Sequence, residues 1–130
     1  LNGKKEISMG NLHPTRDFTF VKDTARGFLE IARAEKLNGE VTNIGMSEEI
    51  TIGDLVRLIA SLLNAEIKII EEKDRIRPDN SEVERLYCDN RKIKEYTSWQ
   101  PQYDLNKGLK ETIEWLKKNL NIYKTEIYNV

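Results

Sequence analysis

Cysteine and histidine are almost missing from this chain, with one of each in 130 residues. Cys88 alone makes no internal disulfide, and Cys88 with His13 makes no zinc site without several carboxylates. Neither sign of charge dominates. Lysine and arginine number 21 and aspartate and glutamate 22, for a net charge of −1. That balance gives no electrostatic ground for binding nucleic acid or an acidic membrane. Any anion site must come from a few placed residues. No apolar run approaches the roughly 20 residues of a membrane span, and no N-terminal stretch has the makeup of a secretory signal. A cytoplasmic location is therefore expected. There is no internal repeat and no low-complexity stretch. The chain opens on Leu1 rather than Met, which leads us to expect a piece of a longer protein.

What is present is a globular composition, 38% hydrophobic and 33% charged, of a size for one small domain. Ile7-Ser8-Met9 reads as a short strand and Asn11 to Pro14 as a turn. Thr15 to Val21 reads as a second strand with Arg16, Phe18 and Phe20 on one face, since side chains alternate. Asp23 is the expected N-cap of a helix running to about Lys36, with Ala25, Phe28, Leu29 and Ala32 at helical spacing. Asn38-Gly39 closes it, and Val41 to Ile44 reads as a strand ending at Gly45. Thr51-Ile52-Gly53-Asp54 resembles a capping box ahead of the stripe Leu55, Leu58, Ile59, Leu62 and Leu63. Ile67 to Ile70 reads as a strand and Lys73 to Glu84 as a polar loop. Leu86-Tyr87 reads as extended. Asp89 is the expected cap of a helix to about Tyr96. Asp104 caps a last helix with Leu105, Leu109, Ile113, Leu116 and Leu120 on one face. The pattern predicts an α/β class, a small sheet with covering helices. Three amphipathic helices exceed what such short strands can cover, so part of the helical surface is expected to serve another domain.

Three ordered segments carry a family resemblance. The first is Pro14-Thr15-Arg16-Asp17-Phe18-Thr19-Phe20-Val21-Lys22-Asp23-Thr24-Ala25. The second is Asn43-Ile44-Gly45 with Ile50-Thr51-Ile52-Gly53-Asp54-Leu55. The third runs from Arg75-Ile76-Arg77-Pro78 through Ser81-Glu82-Val83 to Trp99-Gln100-Pro101 and Gly108-Leu109. Together they resemble the C-terminal, substrate-binding portion of the extended short-chain dehydrogenase/reductases, the NAD-dependent epimerase/dehydratase family. Arg-Ile-Arg-Pro followed by Ser-Glu-Val-Glu-Arg-Leu is most similar to 4,6-dehydratases acting on nucleotide-linked N-acetylglucosamine in nonulosonic (legionaminic) acid pathways. The loop departs from the family's Arg-Pro-Gly-Asp: glycine is absent, and Asp79-Asn80-Ser81 precedes Glu82.

The resemblance implies that residues 1–130 form a substrate-binding domain whose N-terminal, NAD-binding Rossmann partner lies outside this chain. The full-length enzyme would be a homodimer. It would use NAD to oxidise a nucleotide-linked sugar at C4, lose water across C5–C6 and return hydride to C6. A 4-epimerase shares the oxidation step and is the alternative within enzymes. A non-catalytic nucleotide-sugar-binding module is the alternative outside them. The resemblance assigns Arg16 and Arg77 to the diphosphate, for which planar, permanently charged guanidinium groups are suited. It assigns Glu82 to the ribose hydroxyls. As bare residues, all three read equally as solvated surface charges.

No glycine-rich dinucleotide fingerprint is present, and no residue here is assigned to NAD, to catalysis or to a metal. Tyr103 and Lys107 match the Tyr-x-x-x-Lys spacing of short-chain dehydrogenases. The expected cap at Asp104 puts Tyr103 outside the helix, so the pair is set aside as structural. His13 reads as an exposed turn residue, Cys88 as a neutral packed thiol, and Trp99 and Trp115 as core or interface residues.

Overall fold

The computed structural model describes residues 3, 5–72 and 83–123. Nine elements follow in order: β1 (Glu6–Met9), β2 (Thr15–Arg16), α1 (Val21–Arg33), β3 (Ile50–Thr51), α2 (Ile52–Leu62), β4 (Lys68–Glu71), β5 (Arg85–Leu86), α3 (Arg91–Tyr96) and α4 (Leu105–Lys118). Single 3₁₀ turns follow α1 and α4, at Glu35–Leu37 and Leu120–Ile122.

The strands form two small sheets rather than one. β1 and β4 run parallel with Ile7 opposite Ile69 and Ser8 opposite Ile70. β2 is the centre of a three-stranded sheet, antiparallel to β3 and parallel to β5. The α/β reading holds, with the sheet divided.

The helices that were legible owe it to their caps. Thr51 Oγ1 accepts the Asp54 amide at 3.0 Å and donates to its carboxylate at 2.7 Å. This satisfies one of the four orphan N–H groups at the start of α2. Asp104 Oδ1 does the same for the Lys107 amide at 2.7 Å, leaving Tyr103 outside α4. The α4 stripe turns inward, with Ile113 buried and Leu105, Leu109 and Leu116 half-buried.

Other expectations need correction. The second strand stops at Arg16, because the Asp17 side chain turns away to bind backbone elsewhere. Helix α1 begins at Val21 with Phe20 as its uncapped N-cap. Asp23 is therefore not the cap. It sits one turn in, and its carboxylate serves a distant loop. Val41 to Ile44 is not a strand, because a strand needs a ladder partner and the described residues offer none; Val41 is 84% exposed. β4 is displaced one residue from the expected span. Asp89 lies one position before the N-cap of α3, which is Asn90, although Asp89 Oδ1 does accept the Arg91 amide at 3.1 Å. The loop expected at Lys73 to Glu84 falls almost wholly outside the described residues.

The most informative departure is α1. Its predicted apolar stripe, Ala25, Phe28, Leu29 and Ala32, is entirely exposed, while the buried positions are Asp23 and Gly27. Gly27 lies against Ile44, so close that a Cβ there would come within 2.8 Å of Ile44 Cδ1. The core of this chain lies on the helix's opposite side, around Trp99, Ile93, Leu37 and Ile113. Trp99 is buried and its indole N–H donates to the Asp23 carbonyl at 3.0 Å. Trp115 is half exposed and stacks edge-on with Tyr123.

Candidate functional site

The site is organised by two aspartates that bracket Phe18 and Phe20. Asp17 is half-buried and accepts three backbone N–H groups, from Met46 at 2.9 Å, Ser47 at 2.8 Å and Cys88 at 3.2 Å. The consecutive amides of Met46 and Ser47 form a small anion-binding concavity, made possible by the left-handed Ser47 (φ 57°). A left-handed serine is strained by roughly 1 kcal/mol or more, and the carboxylate offsets that cost. Around it the network closes. Ser47 Oγ donates to the Cys88 carbonyl at 2.8 Å, and the buried Asn90 donates its Nδ2 hydrogen to the Gly45 carbonyl at 2.7 Å. Three chain segments, around residues 17, 46 and 88, are thereby fixed to one another.

Asp23 forms the second anchor. It is fully buried and accepts the amides of Gln102 at 3.1 Å and Tyr103 at 3.0 Å, and a 2.7 Å ion pair from Arg26. Arg26 in turn donates to the Gln100 carbonyl. The loop before α4 is thus pinned to the first turn of α1. Phe20 and Tyr103 stack with ring centroids 4.5 Å apart, and Phe20 also lies against Gly108, where an added Cβ would come within 3.1 Å of Phe20 Cβ and 3.2 Å of its ring.

Arg16 immediately precedes the first of these anchors. It is half-buried in β2, and its Nη1 donates to the Thr15 carbonyl at 2.8 Å. It lines a pocket of about 190 Å³ together with Phe18, Met46, Glu48, Glu49, Ile50 and Leu105. Arg16 and Phe18 share this pocket, whereas Phe20, expected on the same face, lies instead against Tyr103 and Gly108. Beside it, Glu49 takes the Arg85 guanidinium in a fork, Nε at 2.8 Å and Nη2 at 2.8 Å, and accepts Thr15 Oγ1 at 2.7 Å. The Arg85 hydrogen bonds, then Thr15, hold the Glu49 carboxyl below its usual range. The same pairing raises the Arg85 guanidinium further. The cluster joins β2, the residue before β3, and β5 on one side of the pocket.

Of the three expected site residues, only Arg16 belongs to the described structure; Arg77 and Glu82 lie outside the described residues. Glu84, two residues after Glu82, gives its carbonyl to the Thr15 amide at 2.9 Å. His13 is exposed. Burial first, and then the charges of Asp17 and Asp89, push the Cys88 thiol up. Lys107 lies over the Tyr103 ring, 4.2 Å from its centroid, so this pair meets as a surface cation–π contact. Among the described residues no group of His, Cys, Asp and Glu is placed to hold a metal ion, and no helix is long and apolar enough to cross a membrane.

The roles of Asp17, Asp23, Asn90 and the Glu49–Arg85 pair were missed in the sequence. Each depends on contacts across roughly thirty to eighty residues, for which local patterning carries no signal. The glycine at 45 is the partial exception: a lone glycine at the end of an apolar run signals a close approach.

An Arg-Asp-Phe anchor, a pocket against that arginine and an α/β scaffold define a class, and comparison with known proteins defines the same one. The family model for GDP-mannose 4,6 dehydratase matches residues 1–112, and the chain belongs to that family. A putative UDP-glucose 4-epimerase of Methanocaldococcus jannaschii is 32% identical over 119 residues, covering 92% of this chain and 36% of that protein. Among solved structures, the dTDP-glucose 4,6-dehydratase of Bacillus anthracis in complex with NAD has a TM-score of 0.76 at 27% identity, covering 92% of this chain and 37% of its own. The UDP-glucose 4-epimerase of Thermotoga maritima with UDP-glucose has a TM-score of 0.73 at 28% identity, covering 88% and 35%. The relatives are thus nucleotide-sugar epimerases and dehydratases, and the chain spans about a third of their length.

Proposed function

We propose that this chain is the substrate-binding part of an NAD-dependent nucleotide-sugar 4,6-dehydratase, with Arg16 and Arg77 on the diphosphate and Glu82 on the ribose hydroxyls. The observation that carries the reading is the placement of Arg16. It stands half-buried at a pocket whose backbone is immobilised on both sides by Asp17 and Asp23. A guanidinium held this way suits an anion with several acceptor oxygens, because little side-chain freedom is lost on binding. Parallel pairing of β2 with β5 supports a shared site, because it ties Thr15 to Glu84, just after the segment that bears Arg77 and Glu82.

The NAD-binding half is proposed to lie upstream in the same protein. Residues present here do not fit that cofactor: there is no glycine-rich fingerprint, and the space at Gly45 is taken by Cys88, whose Sγ would lie 2.5 Å from an added Cβ. NAD supplies hydride exchange when bound; this chain's own residues bind and orient the nucleotide sugar. The exposed α1 stripe and the unpaired 41–44 segment support an upstream domain covering them. The loop Arg75-Ile76-Arg77-Pro78 with Ser81-Glu82-Val83 favours a nucleotide-linked N-acetylglucosamine as substrate, in a cytoplasmic homodimer. The Methanocaldococcus relative, an epimerase by its name, favours a second reading in which the reaction ends in C4 inversion.

The test is titration of the full-length enzyme with UDP- and GDP-sugars. Arg16→Ala and Arg77→Ala are each expected to weaken binding roughly ten- to hundredfold, the loss of one charge-assisted contact. Arg77→Lys recovers only part, because an ammonium lacks the fork. Parent-like affinity in both alanine variants rejects the phosphate assignment. Product analysis with UDP-N-acetylglucosamine separates a 4-keto-6-deoxy sugar from a C4 epimer.

A further inference from the structure

The pocket at Arg16 has an acidic wall. Glu48 and Glu49 line it together with Arg16, Phe18 and Ile50. The two acids are not equivalent. Glu49 is committed, with Arg85 and Thr15 on its oxygens. Glu48 makes no hydrogen bond and no ion pair among the described residues. It follows the Asp17-bound amides of Met46 and Ser47, so the backbone that carries it is fixed.

A carboxylate accepts hydrogen bonds and donates none when ionised. Placed beside a diphosphate without donors, it is repelled by it. A ligand that puts phosphate on Arg16 is therefore favoured here only if it also brings O–H or N–H donors next to the phosphate. Nucleotide sugars do so on both sides, with the ribose diol on one and the 2-substituent of the hexose on the other. We infer that Glu48 is a specificity-determining residue, whose carboxylate accepts hydroxyl or amide hydrogens that flank the diphosphate of the bound nucleotide sugar. The inference rests on the assignment of the phosphate to Arg16.

Guanidinium and carboxylate in one small pocket discriminate in two directions. An inorganic anion gains Arg16 and meets Glu48 as a repulsion. A neutral sugar gains Glu48 and makes no use of the Arg16 charge. Only the joined ligand satisfies both, and a site built to bond a hydroxyl rejects an analogue lacking it far more strongly than an apolar site rejects a methylene.

The experiment is calorimetric titration of the full-length enzyme and its Glu48→Gln, Glu48→Ala and Arg16→Ala variants. The ligands are UDP or GDP, whichever the parent binds more tightly, its 2′-deoxy counterpart, and the corresponding nucleoside diphosphate hexose. Glu48 makes no hydrogen bond or ion pair among the described residues, so its variants are expected to melt with the parent. Glu48→Gln is expected to weaken hexose-nucleotide binding roughly three- to tenfold and Glu48→Ala somewhat more, as a charged acceptor becomes neutral and then absent. If the loss is confined to the hexose conjugate, the donor is the sugar; if it extends to the nucleoside diphosphate but not to its 2′-deoxy form, the donor is the ribose. Parent-like binding of all three ligands by both Glu48 variants, with Arg16→Ala weakened, overturns the inference and leaves the phosphate assignment standing. Parent-like binding by Arg16→Ala overturns the phosphate assignment itself, and the inference with it.

Discussion

Asp23→Ala is expected to cost this fold more than any change at its surface. The carboxylate is fully buried and accepts the Gln102 and Tyr103 amides and the Arg26 guanidinium. Removing it strands two backbone donors, each worth about 1–3 kcal/mol when left unsatisfied. It also breaks an ion pair whose carboxylate is buried but whose guanidinium is 31% exposed, so the cost of about 3–5 kcal/mol typical of a fully buried pair is an upper bound. These contributions overlap, and Arg26 keeps its bond to the Gln100 carbonyl, so about 3–5 kcal/mol is expected in all. A domain has about 5–15 kcal/mol in total. Asp23→Asn retains one acceptor but turns an N–H₂ toward donors, and should cost about half as much. Urea unfolding followed by the fluorescence of Trp99 is the assay. That indole is buried and bonded to the carbonyl of Asp23 itself, so it reports on the affected layer. With a slope of about 2 kcal/mol per molar urea, the midpoint should fall by about 1.5–2.5 M for alanine. A midpoint within about 0.3 M of the parent at unchanged slope would show that the Gln102–Tyr103 loop is held by something other than this carboxylate.

Three further outcomes follow. Gly45→Ala places a Cβ 2.2 Å from Cys88 Cβ, so thermal melts should show a loss of about 1–3 kcal/mol from overpacking; Cys88→Ala keeps the clashing Cβ and should not rescue it, whereas Cys88→Gly should in part. Because burial and two nearby aspartates raise the Cys88 thiol, its alkylation at pH 8 should be slower than that of an unstructured cysteine and become fast on unfolding. The sign for stability follows: the folded state favours the protonated thiol, so this contribution is present below the unfolded value, about 8.5, and is lost as pH rises above it. Finally, the isolated chain should bind an apolar-surface dye and associate as concentration rises, because Phe28 (65%), Leu29 (57%) and Val41 (84%) are exposed; Phe28→Ser with Leu29→Ser should reduce both signals, and a dye-silent monomer at every concentration tested by sedimentation would refute the reading of that face.

The parts of the fold that were legible are those decided within a few residues. The caps at Thr51 and Asp104 act on amides three residues on, and the inward stripe of α4 repeats at the helix period. Legibility failed where a residue's partner is remote. An aspartate before an apolar periodic run reads as an N-cap because capping and tertiary anchoring use the same chemistry, a carboxylate accepting backbone N–H groups. At position 23 the choice is made by Tyr103, which is 80 residues away. The apolar stripe of α1 was identified correctly as a stripe, and its side was not. Hydrophobic spacing shows that a face will be buried, not by which chain. The stretch Val41 to Ile44 illustrates the same limit for strands, since β-branched residues favour a ladder only where a neighbour supplies one.

The same division applies inside the segment that made the family recognisable. Arg16, Asp17, Phe18 and Asp23 belong to one motif, and its arginine is the group suited to a phosphate. Among the described residues the aspartates of that segment accept backbone N–H groups from three other parts of the chain. Asp17 gathers Met46, Ser47 and Cys88, and Asp23 gathers Gln102 and Tyr103. Phe18 lies between the two anchors and Arg16 directly before the first, and both line the pocket. A clamp for a diphosphate has to be positioned before the ligand arrives, since ordering a long side chain on binding subtracts from affinity. Anchors that do this must bond backbone, whose N–H groups are present whatever the sequence of the facing loop. Met46 and Ser47 are held through their backbone N–H groups, not their side chains, so the discriminating power of the pocket is expected at Glu48, on the fixed loop, rather than at either aspartate.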